Sequence, residues 1–179
     1  MSQCTAALDL VQSQTEVCVA MNNLITWFDR EFSRLEDDWR SSIARLDEAT
    51  LYRESEQQLC PGAEQILRSA RIVEQVSGGI TAKLWDDPYE WTLPETLRTK
   101  DKLIAYVDEV RAARLRAFEF FKDDGDLLKM AMAPSGPMQL QALLLDAMVR
   151  ARHHQSLAMG YLKSPEACAD SSHPDNLRS

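Results

Sequence analysis

The apolar residues between positions 28 and 46 recur every three or four residues, which is the spacing of one face of an α-helix. A helix with such a face must bury it against other elements of the fold. The spacing therefore predicts a long amphipathic helix in this region, and it is the strongest constraint on the fold. The series comprises Phe28, Phe32, Leu35, Trp39, Ile43 and Leu46, and it extends back through Met21, Leu24 and Ile25.

Three further segments have the same helical spacing. A second helix is predicted from Ala63 to about Trp85, and a third follows Thr99, whose side chain suits a helix N-cap. A fourth is expected to begin with Pro137 in its first turn and to end near Leu162. Residues 122–137 are interpreted as a linker with one short helical turn.

No segment gives a strand signal, so the sequence predicts an all-α protein, an up-down four-helix bundle. The chain has 179 residues, which suits one domain. We assign residues 1–163 to that domain and residues 164–179 to a flexible tail with few residues to bury. Residues 5–19 are also compatible with a helix, and the sequence leaves open whether they form a separate one.

The formal charge of −8 argues against nucleic acid as a partner, because such binding depends on clustered Lys and Arg. The same sign disfavours an anionic membrane surface, and no apolar run approaches the roughly 20 residues of a membrane span. The four cysteines are far apart and form no CxxC pair. Free thiols in a reduced cytoplasm are therefore expected.

Two of the three histidines, His153 and His154, are adjacent in the predicted fourth helix, within RARHHQSLAMGYLK. Residues four apart on a helix share a face, so Asp146, Arg150 and His154 form one row, with Tyr161 two turns beyond His154. Either this row belongs to a ligand or metal site, or it consists of ordinary helix residues paired with one another.

The segment HHQSLAMGYLK resembles the last helix of the DinB-like (YfiT-like) superfamily of four-helix bundles, whose pattern is close to H-E-x-H-H-R-G-Q-x-x-x-Y-L-R. The residues that carry this likeness are His153, His154, Tyr161, Leu162 and, conservatively, Lys163. In the second helix, ILRSARIVEQ is similar to the family's L-G-H-I-A-x-V-E at Leu67, Val73 and Glu74. The resemblance covers roughly residues 21–163 and implies the same bundle fold.

Many members of that superfamily look like metalloproteins that use one histidine from the second helix and a His-x-x-x-His pair from the fourth. The resemblance places these positions at Ser69, Arg150 and His154, so only His154 keeps a ligand side chain. Zinc and nickel sites need about three protein ligands, and a guanidinium cannot coordinate a cation. We therefore expect no cofactor, with a zinc or nickel site as the alternative.

The resulting hypothesis is a metal-free small-molecule-binding protein, or a degenerate enzyme, with a pocket between the second and fourth helices. Arg150 would hold a small anionic or thiol ligand there, and its pairing with Asp146 is the competing interpretation. The residues assigned to the pocket are Ser69, Val73, Arg150 and His154, with support from Glu74, Asp146, His153 and Tyr161.

Two other classes of function remain open at this point. The superfamily includes metal-dependent thiol transferases and hydrolase-like proteins, so a metal-dependent enzyme with an altered ligand set is one alternative. A non-catalytic helical dimerisation protein is the other, and the resemblance implies a homodimer in either case. Trp85, Tyr89 and Trp91 cluster in the second loop, where they would cap one bundle end or form the wall of a ligand pocket or a dimer contact.

Overall fold

A computed structural model describes residues 23–53, 58–85 and 96–163 of the chain. Four long helices dominate these ranges, which confirms the all-α bundle expected from the sequence. The segment 5–19 and the tail 164–179 lie outside the described residues, and so do Tyr89 and Trp91. The helices are α1 (Asn23–Arg45), α2 (Pro61–Ala82), α3 (Lys100–Phe118) and α4 (Leu140–Lys163).

Shorter elements connect the helices. Two turns of 3-10 helix precede hairpins made of short antiparallel strands. The first hairpin pairs β1 with β2 between α1 and α2, and the second pairs β3 with β4 between α3 and α4. The 3-10 turns are Glu48–Thr50 and Asp124–Leu128, and the strands are β1 (Tyr52–Arg53), β2 (Gln58–Leu59), β3 (Met130–Ala133) and β4 (Gly136–Gln139).

The second hairpin corrects the sequence interpretation of residues 122–137. Pro137 does not open the fourth helix; it lies in β4 opposite Met132, and α4 begins three residues later at Leu140. The tight reversal between the strands uses Gly136, whose φ of 109° favours a residue without a side chain. The 3-10 turn at Asp124–Leu128 agrees with the single helical turn expected there.

The core forms where the apolar faces of the four helices meet. The face predicted for α1 is buried as expected, with Leu35, Trp39 and Ile43 fully covered. Helix α2 packs most extensively along α4 and also contacts α3, while α1 packs against α3 and α4. Thr99 caps α3 as predicted, because its hydroxyl oxygen accepts from the backbone N–H of Lys102 at 3.3 Å.

A buried ion pair fixes how α1 lies against α3. The guanidinium of Arg114 donates to both carboxylate oxygens of Glu36, at 2.9 and 3.0 Å, and both side chains are almost completely buried. It also donates to Asp29 and to Ser33 Oγ. Burial opposes the charge on Arg114, but the bonds to Glu36 and the attraction of Glu36 and Asp29 outweigh it and raise the pKa.

Within the described ranges, none of the helices combines the length and the apolar character needed to cross a membrane.

Candidate functional site

Ser69, one of the residues predicted to line a pocket, lies at the centre of the α1, α2 and α4 packing. Its hydroxyl donates to the backbone carbonyl of Ala151 at 2.7 Å and accepts from the indole N–H of Trp39 at 2.8 Å. Its side chain is fully buried, and Val73 one turn later is buried as well. Ser69 therefore links three helices through the hydrogen bonds of a single hydroxyl.

His154 also lies between α2 and α4, one helical turn from the Ser69–Ala151 contact, and it is partly buried. Its Nδ1 is 2.7 Å from Oε1 of Gln65, an oxygen that can only accept, so Nδ1 is the donor of this bond. Burial is the main cause that lowers the pKa of His154, and the positive charges of His153, Arg68, Arg71 and Arg150 lower it further. His154 is therefore a neutral, hydrogen-bonded ring at neutral pH.

Arg150 lies at the surface of α4. Its guanidinium pairs with Asp146 at 2.8 Å across one helical turn, and both side chains are 50% exposed. This is the pairing that the sequence offered as the competing interpretation. Ser69 is fully buried, whereas Arg150 is half exposed and paired with Asp146, and a ligand at Arg150 stays a prediction.

The remaining sequence candidates make contacts of their own. The carboxylate of Glu74 accepts from the hydroxyl of Tyr106 at 2.6 Å, which joins α2 to α3. The rings of His153 and His154 lie edge to face with their centroids 5.5 Å apart, and His153 is exposed. Tyr161 is 36% exposed at the end of α4.

The metal site implied by the resemblance does not fit these side chains. The hydroxyl of Ser69 is committed to Ala151 and Trp39, Arg150 is cationic, and only His154 offers a ligand atom. Among residues 23–53, 58–85 and 96–163, no three His, Cys, Asp or Glu side chains are grouped closely enough to hold a metal ion.

A cleft of about 500 Å³ lies at the end of the bundle where α2 and α3 finish and α4 begins. Clefts of roughly 300–1,000 Å³ with mostly apolar walls and a few polar groups are typical of small-molecule sites. We call it the bundle-end cleft. Its lining residues are Gly79, Ile80, Lys83, Trp85, Phe120, Phe121, Asp126, Lys129, Met130, Ala131, Met132 and Leu140.

Trp85 forms one wall of the bundle-end cleft because α2 has no side chain at Gly79. A Cβ at Gly79 would overlap the indole ring, so the ring lies directly on the helix backbone. The amide of Gln75 donates to the carbonyl oxygen of Trp85 at 2.9 Å and holds that residue in place. The absence of a side chain at Gly79 therefore permits the close approach of the Trp85 ring.

Two methionines give the cleft an adaptable rim. Met130 and Met132 of β3 are 60% and 70% exposed, and Phe120 after α3 is 59% exposed. Methionine side chains are flexible and polarizable, and they suit surfaces that accommodate more than one apolar shape. Exposed apolar side chains concentrated at one opening usually mark a binding surface.

The charged groups among the described lining residues of the cleft are two lysines and one aspartate. Lys129 and Asp126 pair at 2.5 Å, and Asp126 also accepts from the backbone N–H of Lys122 at 2.6 Å. The bond from Lys129, followed by the one from Lys122, lowers the pKa of Asp126, and Asp126 in turn raises the pKa of Lys129. This pair remains ionised near neutral pH, which leaves Lys83 as the unpaired cation among the described lining residues.

Sequence reasoning identified only one part of this cleft, through the aromatic residue Trp85. The hairpin was missed because Met130–Ala133 shows no alternation of apolar and polar residues. A useful signal was the pair Gly78-Gly79 followed within a few residues by Trp85, because a glycine inside a helix often marks a close approach.

Comparison with known proteins identifies no relative of this chain. Neither a protein-family model, nor a curated protein sequence, nor a solved structure matches the chain. The class defined by the described residues is therefore an all-α four-helix bundle with a cleft at one end.

Proposed function

We propose that this protein is a small-molecule-binding member of the DinB-like group whose ligand occupies the bundle-end cleft without the help of a metal. The single observation that carries the proposal is the cleft itself, about 500 Å³ in volume and walled by aromatic and methionine side chains. A degenerate enzyme fits the same description, because a binding cleft can outlast the loss of catalytic groups. We place such a binder in the cytoplasm, because the four cysteines of the chain are far apart and form no CxxC pair.

We place the ligand in the bundle-end cleft rather than at the α2–α4 interface, because the polar groups at the interface already have hydrogen-bond or ion-pair partners. At the interface, Ser69 is bonded to Ala151 and Trp39, and Arg150 is paired with Asp146. A ligand there would have to replace bonds that already exist, at a cost in desolvation and lost pairing. A ligand in the cleft would replace few such bonds, since the walls of the cleft are mostly apolar.

Binding of N-phenyl-1-naphthylamine, a neutral apolar dye, tests this proposal directly. Its fluorescence is expected to rise saturably on titration with the protein as the dye enters the cleft. Ala131 lines the cleft from β3, and Ala131→Trp would fill the cleft and weaken dye binding by roughly ten-fold or more. Circular dichroism verifies that the variant keeps its helices.

Ala142→Trp is the matched control, because Ala142 is exposed on α4 and is not part of the cleft lining. It should bind the dye as the unmodified protein does. Equal loss of binding in both variants, or unchanged binding in Ala131→Trp, contradicts the proposed site.

A second candidate function, helical dimerisation, is favoured by the outer face of α4. Leu145 and Val149 are one turn apart and are 50% and 61% exposed, and Leu157 and Tyr161 continue the apolar residues two and three turns further on. Exposed apolar residues repeated along one helix are typical of helix-to-helix contacts. The expected homodimer would use this face under either function.

Sedimentation velocity at several protein concentrations tests the dimer. Twice the monomer mass is expected for the unmodified chain, and Val149→Lys should shift it to monomer because a charge would enter the apolar contact. Leu115→Lys is the control, since Leu115 is also exposed but lies on α3. A monomer at all concentrations removes the dimerisation hypothesis and leaves the cleft proposal unaffected.

A further inference from the structure

The residue that ends α2, Lys83, has a backbone conformation that lysine rarely adopts. Its φ is 55° and its ψ is 25°, and it is the only non-glycine residue in the described ranges with a positive φ. Glycine is the usual residue at this position of a helix C-terminus because it has no Cβ to clash. A lysine at a position where glycine suits the backbone better points to a use for its side chain.

Lys83 lines the bundle-end cleft and is exposed. No ion pair joins Lys83 to any residue within 23–53, 58–85 or 96–163. The other lysine of the lining, Lys129, is neutralised by Asp126. Among the described residues, the cleft therefore combines mostly apolar walls with one lysine that has no ion-pair partner, at the point where α2 ends.

We propose that Lys83 anchors the acidic head group of an amphipathic monoanion, such as a medium-chain carboxylate, whose apolar body lies in the bundle-end cleft. This inference rests on the proposed function, since it assigns a ligand class to the same cleft. A lysine ammonium supplies three donors and a full charge to a carboxylate, and a charge-assisted bond is about twice as strong as a neutral one.

The walls of the cleft suit the other end of such a molecule. Ile80, Trp85, Phe121 and Leu140 provide aliphatic and aromatic surface, and the flexible side chain of Met130 can follow a chain of methylene groups. Because Lys129 is paired with Asp126, Lys83 is the cation among the described lining residues that can accept a new partner. An anion with a long apolar body satisfies both parts of the site, whereas a small inorganic anion would use only the charge.

Competition experiments against bound N-phenyl-1-naphthylamine distinguish the contribution of the ligand's charged head group to binding from that of its apolar chain. Decanoate, decanol and decyltrimethylammonium share one chain length and differ in head group. Decanoate is expected to bind roughly ten-fold more tightly than decanol, the difference that one charge-assisted bond supplies, and the cationic compound should bind most weakly.

Three variants test whether Lys83 causes the tighter binding of decanoate than of decanol. Lys83→Met keeps much of the apolar stem and should bind decanoate and decanol equally, while Lys83→Arg should retain the preference. Lys83→Gly also removes the charge but relaxes the positive φ, so it serves as the variant whose folding is not at risk. Lys102→Met, an exposed lysine in the first turn of α3, is the matched control and should keep the preference.

The outcomes separate the two proposals. If decanol binds but decanoate has no advantage, or if Lys83→Met and Lys83→Gly keep the advantage, the role of Lys83 is wrong and the cleft proposal stands. If none of the three compounds displaces the dye and the dye itself does not bind, both proposals fail.

Discussion

The indole ring of Trp85 lies across Gly79 so closely that the helix has no room for a side chain at this position. This contact ties the residue that follows α2 to the last turns of the helix, and it builds one wall of the bundle-end cleft. The contact between Trp85 and Gly79 therefore contributes both to the packing at the end of α2 and to the shape of the candidate site.

Replacing Gly79 by alanine should push Trp85 out of its place. We expect a loss of about 1–3 kcal/mol in the free energy of unfolding, the usual cost of overpacking, together with a red shift of the tryptophan fluorescence. Dye binding at the cleft should weaken in parallel because its wall has moved. Chemical denaturation and fluorescence emission measure both effects.

Gly160→Ala is the control for helix propensity, because Gly160 lies in α4 with nothing within 4 Å of a new Cβ. This variant should be more stable by roughly 0.5–1 kcal/mol, as expected when a helical glycine becomes alanine. Stabilisation by Gly79→Ala of the same size would show that Trp85 does not occupy the space above Gly79.

Removing Arg114 should destabilise the bundle strongly, because the carboxylate of Glu36 would remain buried without its partner. We expect Arg114→Met to cost about 3–5 kcal/mol in the free energy of unfolding. The double variant Arg114→Met/Glu36→Leu should recover most of that loss, since both charges are then gone. Urea unfolding of the two single variants and the double variant completes the cycle.

A double variant no more stable than Arg114→Met alone would contradict this account of the pair. In that case the cost would arise from packing or from the bonds to Asp29 and Ser33.

Ser69→Ala separates the structural role of this hydroxyl from the ligand role predicted by the sequence. Both Trp39 Nε1 and the carbonyl of Ala151 would lose a buried partner, so the expected cost is about 1–3 kcal/mol in the free energy of unfolding. Affinity for the apolar dye should not change. Thermal or urea unfolding and the dye titration are measured on the same samples.

Ser77→Ala provides the comparison, because its buried hydroxyl donates only to the carbonyl of Val73 within α2, at 2.6 Å. Its cost should be smaller than that of Ser69→Ala. Loss of dye binding in Ser69→Ala, with stability unchanged, would instead support the pocket at the α2–α4 interface.

The depressed pKa of His154 makes the fold less stable as the solution becomes acidic. The unfolded chain takes up a proton as pH falls through about 6.5, whereas the partly buried ring beside Gln65 takes it up only at lower pH. The free energy of unfolding should therefore fall between about pH 7.5 and pH 5.5, and His154→Gln should reduce this slope.

Urea titrations at the two pH values measure the slope. His153→Gln should keep most of it, because burial contributes more to the lowered pKa of His154 than the charge of His153 does. An identical slope in His154→Gln and in the unmodified protein would mean that this ring is not the group that titrates.

The helices could be predicted from the sequence because their signals are local. The apolar spacing of α1 anticipated the burial of Phe28, Phe32 and Trp39, and the N-cap at Thr99 placed the start of α3 correctly. Each of these signals depends only on residues a few positions apart, and the helix period repeats it many times.

The candidate site could not be predicted in the same way, because it depends on contacts between distant segments. The cleft brings Lys83 together with Met130 and Leu140, which are far away along the chain. An arginine within a charged helix is usually interpreted as exposed, so nothing in the local pattern distinguished the buried Arg114 from its neighbours. The likeness to a family with a histidine site directed attention to Arg150, which lies at the surface.

The most direct test of the account locates a bound ligand by the methionine methyl groups. In protein labelled with ¹³C at the methionine methyls, Met130 and Met132 report on the cleft, while Met148 is buried on α4 and Met159 contacts Ser42. Titration with decanoate should shift the signals of Met130 and Met132, assigned through Met→Leu variants, and leave the other two in place. Shifts confined to Met148 or Met159, or no shifts while decanoate binds, would contradict a ligand site at this end of the bundle.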